Sequence, residues 1–286
     1  MQARPPAFLA WRVRSSPQST TRRWLSRTQP FSHSPRLHRA HLPFILGLGV
    51  VASSAFALYS TQAIYLDSEV HSQAAAGGSE ELTVDSATSI TFPNTLRIPS
   101  KTPLPTFSLV GVGVRTVSFL GLKVYSVGFY ADLSSPNLNI SKDTPPQEKI
   151  EHIVRNAACV LRIVPTRPTS YSHLRDGFMR ALQARVLFCR KNGSLAPEEE
   201  AGIQSPLRKF KSLFPNTPLA KHTPMDILLT APPRDPSQAR SLIIRDLGSV
   251  QNDWLCREFF LAYFEGDGLS PPLKKSVTEG LQNFGK

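Results

Sequence analysis

Apolar residues recur with two different periods along the C-terminal two thirds of the chain, and each period predicts a different element. Short runs rich in β-branched and aromatic residues predict strands at 107–115, 119–131, 159–164, 225–230 and 241–246. Apolar residues at three- and four-residue steps predict a long helix over 170–191, and shorter helices fit 205–214, 254–264 and 270–284. This order of strands and helices predicts an α+β domain in which helices cover an antiparallel sheet.

The first 40 residues are basic and contain no acid. Residues 1–42 hold eight arginines and no lysine, aspartate or glutamate, and serine and threonine are frequent among them. Arginine-rich, serine-rich and acid-poor composition is typical of a mitochondrial presequence. Residues 1–40 are therefore predicted to be such a presequence, and a disordered basic tail is the alternative.

An uncharged run of 24 residues follows, from position 43 to position 66. About 20 apolar residues suffice for a helix to cross a bilayer, so this run predicts one transmembrane helix. A secretory signal anchor is the alternative, although its charged region would normally be shorter than 40 residues.

The charges around this run also predict a topology. Basic residues precede it and acids follow it, which favours an N-terminus in the matrix and a domain facing the intermembrane space of the inner mitochondrial membrane. A domain facing the matrix is the alternative if the segment is not retained in the membrane. Small polar residues at 67–89 predict a flexible linker, and the folded domain is predicted at 90–286.

Charge and metal-ligand content exclude two other classes of function. The net charge of +12 comes from the leader and a moderately basic domain, and no basic stripe with interleaved aromatics predicts nucleic-acid binding. The three cysteines form no CxxC pair and are interpreted as buried thiols. The histidines His152, His173 and His222 show no paired spacing, so no metal site is predicted.

The residues 111–132 (GVGVRTVSFLGLKVYSVGFYAD) resemble the sheet motif of the chalcone isomerase superfamily. Three later segments support the resemblance in the same order, at 168–178, 209–229 and 259–277. With its leader and apolar run, the whole chain resembles the fungal "altered inheritance of mitochondria" proteins that carry such a domain. The resemblance implies an open-faced β-sandwich, in which a large antiparallel sheet is covered by helices and a ligand cleft lies between them.

The resemblance also implies a ligand-binding set of Arg115, Tyr125 and Tyr171. Arg115 stands where the family has its cleft arginine, and a guanidinium can hold a phenolate or a carboxylate through two parallel hydrogen bonds. Tyr125 stands near the catalytic threonine of the plant enzymes and Tyr171 at their catalytic tyrosine. Phe178 replaces an asparagine of the plant enzymes, so the cleft has lost polar groups and gained an apolar one.

Two functions remain open from the sequence. In the first, the domain binds a fatty acid or a similar apolar anion and catalyses no chalcone cyclisation. In the second, it is an isomerase, an intramolecular lyase that acts on an unknown substrate. No cofactor is required by either function. Haem binding through one of the histidines is a further possibility suggested by mitochondrial relatives.

Overall fold

The computed structural model describes residues 81–100, 102–117 and 121–286 of the chain. The predicted presequence at 1–40, the predicted transmembrane helix at 43–66 and the linker up to residue 80 lie outside these residues. Among the described residues, no helix combines the length and the apolar character needed to cross a bilayer.

The described residues form eleven strands and six helices. In chain order they are β1 (Leu82–Val84), β2 (Thr91–Pro93), β3 (Thr95–Leu96), β4 (Phe107–Val117), β5 (Leu122–Ala131), α1 (Pro146–Asn156), β6 (Cys159–Pro165), β7 (Thr169–Ser170), α2 (Tyr171–Lys191), α3 (Pro197–Gly202), α4 (Gln204–Ser212), β8 (Pro218–Leu219), β9 (Met225–Leu229), β10 (Ser241–Ile244), β11 (Gly248–Gln251), α5 (Asp253–Leu261) and α6 (Pro271–Gly280).

Seven of these strands form one antiparallel sheet with the order β11-β10-β9-β6-β5-β4-β3. Side chains alternate between its two faces, because successive residues of a strand point in opposite directions. On β5, Tyr125, Val127 and Phe129 belong to the main core with the helices, whereas Tyr130 belongs to a smaller cluster on the opposite face. The prediction of a large antiparallel sheet covered by helices is confirmed.

Local sequence signals explain where the main helices begin and end. The side chain of Ser170 accepts a hydrogen bond from the backbone N–H of His173 and so caps the N-terminus of α2. Asn192 and Gly193 end this helix, and Gly193 has the positive φ of 74° that favours glycine. Ser270 caps α6 in the same way, with Pro271 at the first helical position. Helix α1 was not predicted from the pattern of apolar residues.

The folded domain begins earlier than the predicted boundary at residue 90. Strand β1 pairs with β2, and the nearly buried Asp85 accepts hydrogen bonds from the hydroxyls of Ser126 (2.6 Å) and Thr88 (2.8 Å). The predicted linker at 67–89 is therefore too long at its C-terminal end. The segment 82–89 resembles a linker by its composition, but Asp85 and Thr88 form hydrogen bonds with the buried hydroxyl of Ser126 on β5.

Helix α6 packs directly on the backbone of β4, and two glycines permit this contact. A Cβ atom at Gly111 would lie 2.7 Å from the backbone nitrogen of Val277, and one at Gly113 would overlap the backbone of Leu273. Two hydrogen bonds join the same elements. Ser270 Oγ donates to the carbonyl of Val114 (2.8 Å), and the N–H of Val112 donates to Ser276 Oγ (3.1 Å).

We expect Gly113→Ala to destabilise the domain, because the added methyl group meets backbone atoms that cannot rotate away. Overpacking of a core typically costs about 1–3 kcal/mol, which corresponds to about 2–12 °C in the melting temperature of a domain of this size. Gly202→Ala is the control, because its new Cβ meets no atom within 4 Å and should stabilise by up to about 1 kcal/mol. Equal melting temperatures for the two variants would contradict the close contact.

Candidate functional site

Neighbouring strands bring Arg115 and Tyr125 together. The two residues are directly opposite in the antiparallel pair β4–β5, so their side chains lie on the same face of the sheet. The register of this pair shifts between Arg115 and Thr116. Such irregularities bend a strand locally and change the direction of its side chains. The face in question is the one that the helices cover, because Tyr125 belongs to the main core.

A cavity separates this end of the sheet from the first half of helix α2. Its volume is about 30 Å³, which exceeds the roughly 10–15 Å³ that one water molecule needs. The lining residues are Arg115, Val117, Val124, Tyr125, His173, Leu174, Gly177, Phe178 and Arg180. Two of them are arginines and none is an acid, so the cavity favours an anionic group over a cationic one.

A pair of buried phenols lies next to Arg115. The hydroxyls of Tyr125 and Tyr263 are 2.8 Å apart, and both side chains are almost completely buried. Burial raises the pKa of Tyr125, while the charge of Arg115 and its hydrogen bond act in the opposite direction. Burial also raises the pKa of Tyr263 well above its usual value. Both phenols are therefore protonated at neutral pH and can donate hydrogen bonds.

The contact between the two hydroxyls uses only one of their two protons. One of them donates to the other, and the second proton then needs a further acceptor. A donor left unsatisfied in a buried place costs about 1–3 kcal/mol. The cavity adjoins Tyr125, so an oxygen atom of a bound group can accept this hydrogen bond beside the guanidinium of Arg115.

Arg115 differs from Arg185 and Arg162 in what it binds. Its Nη1 donates to the carbonyl of Leu269 (2.9 Å). Within residues 81–100, 102–117 and 121–286, no carboxylate lies within 4.0 Å of its guanidinium. By contrast, Arg185 pairs with the buried Glu258 and Arg162 with the buried Asp226. Arg115 therefore retains positive charge that a ligand can use.

Of the three predicted site residues, the structure brings Arg115 and Tyr125 together and leaves Tyr171 outside the cavity lining. Tyr171 is the first residue of α2 and packs partly buried against the main core, and its N–H donates to the carbonyl of Thr217 (3.2 Å). Phe178 is buried and packs edge to face on Phe259, with ring centroids 5.2 Å apart. This agrees with its predicted place on the apolar face of the helix.

Sequence reasoning missed Tyr263, Arg180 and the carbonyl of Leu269. Tyr263 is 138 residues away from Tyr125 along the chain and follows helix α5, in an apolar run without any polar motif. Arg180 is one of several arginines spaced along α2. No local signal distinguishes these residues, because their role depends on contacts between distant segments.

The remaining reactive side chains do not extend the site. All three cysteines are buried, and burial raises the pKa of the Cys159 thiol to about 12. The histidines lie on separate elements: His152 on α1, His173 on α2 and His222 in a turn. The described part of the chain contains no cluster of three potential metal ligands. Haem binding by a histidine stays a prediction.

We expect the buried phenols to destabilise the fold at high pH. The unfolded chain releases tyrosine protons near pH 10, whereas the folded chain retains those of Tyr125 and Tyr263, so the free energy of unfolding falls as the pH rises above this value. The fall should be smaller in a variant with both Tyr125→Phe and Tyr263→Phe. Urea unfolding at several pH values measures it, and an equal fall in both proteins would contradict the buried pair.

Comparisons with known proteins agree with this architecture. A family model described as "Chalcone isomerase like" matches residues 105–149 and 134–278. The chain is 26% identical over 295 residues to altered inheritance of mitochondria protein 18 of Debaryomyces hansenii, and the alignment covers 92% of this chain and 93% of that protein. The protein of the same name from Kluyveromyces lactis is 26% identical over 180 residues, which cover 52% of this chain and 54% of that protein. Both relatives are named as mitochondrial.

A solved structure with the same fold is the crystal structure of a fatty-acid binding protein of Arabidopsis thaliana. It superposes with a TM-score of 0.52 at 19% sequence identity, and the match covers 70% of this chain and 98% of that chain. At this identity the similarity shows the fold alone. The family match covers more than half of the chain and coincides with the sheet, the helical layer and the cleft, and the chain therefore belongs to the chalcone isomerase-like family.

Proposed function

We propose that the cleft at Arg115 binds the carboxylate of a fatty acid or of a similar apolar anion and that it does not cyclise chalcones. The observation that carries this proposal is the guanidinium of Arg115, which adjoins two protonated phenols and has no carboxylate partner among the described residues. A carboxylate oxygen would accept a hydrogen bond from Tyr125 and from Arg115 at once. Hydrogen bonds to ionised groups are about twice as strong as those between neutral groups.

A second cavity next to Arg115 offers room for an apolar tail. Its volume is about 270 Å³. Its lining combines small and apolar residues of α2 and of the segment after α5, among them Ala184, Phe188, Ala262 and Leu269, with the charged Arg185 and Glu265. Leu269 is also the residue whose carbonyl accepts the hydrogen bond from Arg115. This hydrogen bond joins Arg115, which lines the polar cavity, to Leu269, which lines the apolar one, and we propose that a fatty acid places its head in the first and its tail in the second.

The fold neighbour and the mitochondrial relatives support the same proposal. The Arabidopsis thaliana protein is named for fatty-acid binding, and we extend this ligand class to the present chain. We also propose that the chain is mitochondrial, anchored in the inner membrane through residues 43–66, with its domain in the intermembrane space. The acid-free leader and the names of the relatives support this localisation.

We expect Arg115→Lys to weaken fatty-acid binding although the positive charge remains, because lysine cannot form two parallel hydrogen bonds. Loss of one hydrogen bond to a charged group should weaken binding about 10- to 150-fold. Titration with a series of saturated fatty acids measures the affinity, and native mass spectrometry identifies any ligand that co-purifies. Arg175→Lys is the control, since Arg175 also lies at α2 but pairs with Asp176 (2.9 Å) outside the cavity lining.

The melting temperature of the same variants separates binding from folding. Arg115 pairs with no described carboxylate, so Arg115→Lys and Arg115→Ala should change the melting temperature little. Unchanged affinity together with a large drop in melting temperature would contradict the assignment of Arg115 to the ligand site.

We further expect the purified protein to convert chalcones to flavanones far more slowly than the plant enzymes. Tyr125 and Phe178 occupy positions where the enzymes have polar groups, and loss of one hydrogen-bond donor to a transition state costs about 100- to 1,000-fold in rate. The polar cavity of about 30 Å³ is also much smaller than typical ligand pockets of about 300–1,000 Å³. The decay of chalcone absorbance measures the rate. A rate near that of plant enzymes, abolished by Arg115→Ala, would support the isomerase instead.

A further inference from the structure

Two large apolar side chains are exposed next to each other near the end of helix α2. The side chain of Leu187 is 61% exposed and that of Phe188 is 44% exposed. The other exposed large apolar residues in the described part of the chain, Leu82, Val84 and Leu122, all belong to strands. The helical layer therefore presents one apolar spot to its surroundings.

The position of Phe188 is fixed by the interior of the domain. The guanidinium of Arg185 lies 4.7 Å from the centre of the Phe188 ring, and its Nε donates to the buried carboxylate of Glu258 (2.8 Å). A ring that stacks on an anchored guanidinium loses little conformational entropy when it enters an apolar medium. The exposure of the Phe188 ring therefore results from the way α2 packs on the domain.

An open groove lies beside this spot, between helices α2 and α4. Its volume is about 460 Å³, and Met179, Val186, Leu187 and Leu207 provide its apolar lining. Its polar rim consists of Arg190, Glu200, Arg208 and Lys211, with Gln183 and Gln204. Arg190 forms an ion pair with Glu200, so the positive charge of the rim resides on Arg208 and Lys211.

Basic residues of both helices surround the groove. Helix α2 carries five Lys or Arg and one acid, and helix α4 carries three and none. Among the residues that the structure describes, no carboxylate lies within ion-pair distance of Lys191, Arg208 or Lys211. Arg190 of α2 and Arg208 and Lys211 of α4 line the same groove. The pKa of the Asp176 carboxyl is lowered, first by its hydrogen bond with Arg175 and then by the charges of Arg175, Arg180 and Lys211, while desolvation acts in the opposite direction. The acids of these helices are Asp176, which pairs with Arg175, Glu200, which pairs with Arg190, and Glu198 and Glu199 on the short helix α3.

We propose that this surface, which consists of Leu187, Phe188, Lys191, Arg208 and Lys211 and is called the docking face below, binds an anionic lipid bilayer. Exposed aliphatic and aromatic side chains enter the boundary between headgroups and acyl chains, and cations around them bind the anionic headgroups. The charge of the rim is complementary to such a bilayer. The docking face shares no residue with the polar cavity at Arg115, and it meets the apolar cavity only at Phe188.

The test compares two labelled positions in the full chain, reconstituted in vesicles. Phe188→Cys and Leu122→Cys each receive an environment-sensitive dye, and the three native cysteines are buried and thus poorly accessible to it. Leu122 is 42% exposed and so matches Phe188, but it belongs to strand β5. The vesicles contain phosphatidylcholine and phosphatidylglycerol in equal parts, or phosphatidylcholine alone. Any membrane anchor in the chain is common to both labelled proteins.

We expect the emission of the label at position 188 to shift to the blue in the anionic vesicles only, and that of the label at position 122 to stay unchanged. High salt should reverse the shift, because it screens exposed charges. Arg208→Gln with Lys211→Gln should lower the ratio of docked to undocked domain about 25-fold, since each cation at an anionic surface contributes about five-fold, or about 1 kcal/mol. The control pair, Arg234→Gln with Lys275→Gln, removes two exposed cations that do not line the groove.

Four results would overturn the proposal. The first is the absence of a shift at position 188, and the second is an equal shift at positions 188 and 122. The third is a shift that does not depend on lipid charge, and the fourth is one that appears without vesicles and grows with protein concentration. That last outcome would identify a second copy of the chain as the occupant of the docking face. The affinity of the Arg115 cleft for fatty acids is measured separately, by titration of a chain that retains Phe188, because Phe188 also lines the apolar cavity.

Discussion

The backbone contact between β4 and α6 is the constraint on which the cleft depends. Gly111 and Gly113 let the helix approach the strand so closely that no side chain fits between them. This approach places Leu269 and Ser270, just before α6, beside the end of β4. The carbonyl of Leu269 then accepts the hydrogen bond that orients Arg115, and Ser270 bonds to Val114. A side chain at either glycine would move the helix and with it the groups that orient the guanidinium.

Buried cations bind the C-terminal ends of helices α6 and α1. Lys149 is fully buried, and its Nζ donates to the carbonyls of Lys142 (2.9 Å), Leu281 (3.1 Å) and Gln282 (3.1 Å). Two of these carbonyls follow α6, where a cation is favourable because the C-terminal carbonyls of a helix lack intrahelical partners. Arg240 bonds in the same way to the carbonyls of Val154, Arg155 and Ala157 at the end of α1. Lys149 and Arg240 donate their hydrogen bonds to backbone carbonyls. Arg115 differs from both because it lines a cavity.

The cleft and the docking face use opposite halves of one helix. The first half of α2 lines the polar cavity with Leu174, Gly177 and Phe178. The second half presents Leu187 and Phe188 on the outside and contributes Ala181 and Ala184 to the apolar cavity. A helix of 21 residues is about 30 Å long, at about 1.5 Å per residue, so one element reaches from the polar cavity to the docking face.

The sequence by itself determined the elements and the nearest-neighbour geometry. Periodicity located β4, β5, β6, β9 and β10 and the helices α2, α4, α5 and α6, because local propensity and burial on one face act over a few residues. The family resemblance placed Arg115 and Tyr125 in one cleft, and the pairing of β4 with β5 sets the two residues opposite each other. The start of the domain was misjudged, since Asp85 satisfies a distant buried hydroxyl that no local pattern indicates. Tyr263 and the carbonyl of Leu269 were decided only by the tertiary structure, because each meets a segment more than 100 residues away along the chain. The volumes of the cavities were also decided by the tertiary structure, because they depend on how α2 packs against the sheet and against the segment after α5.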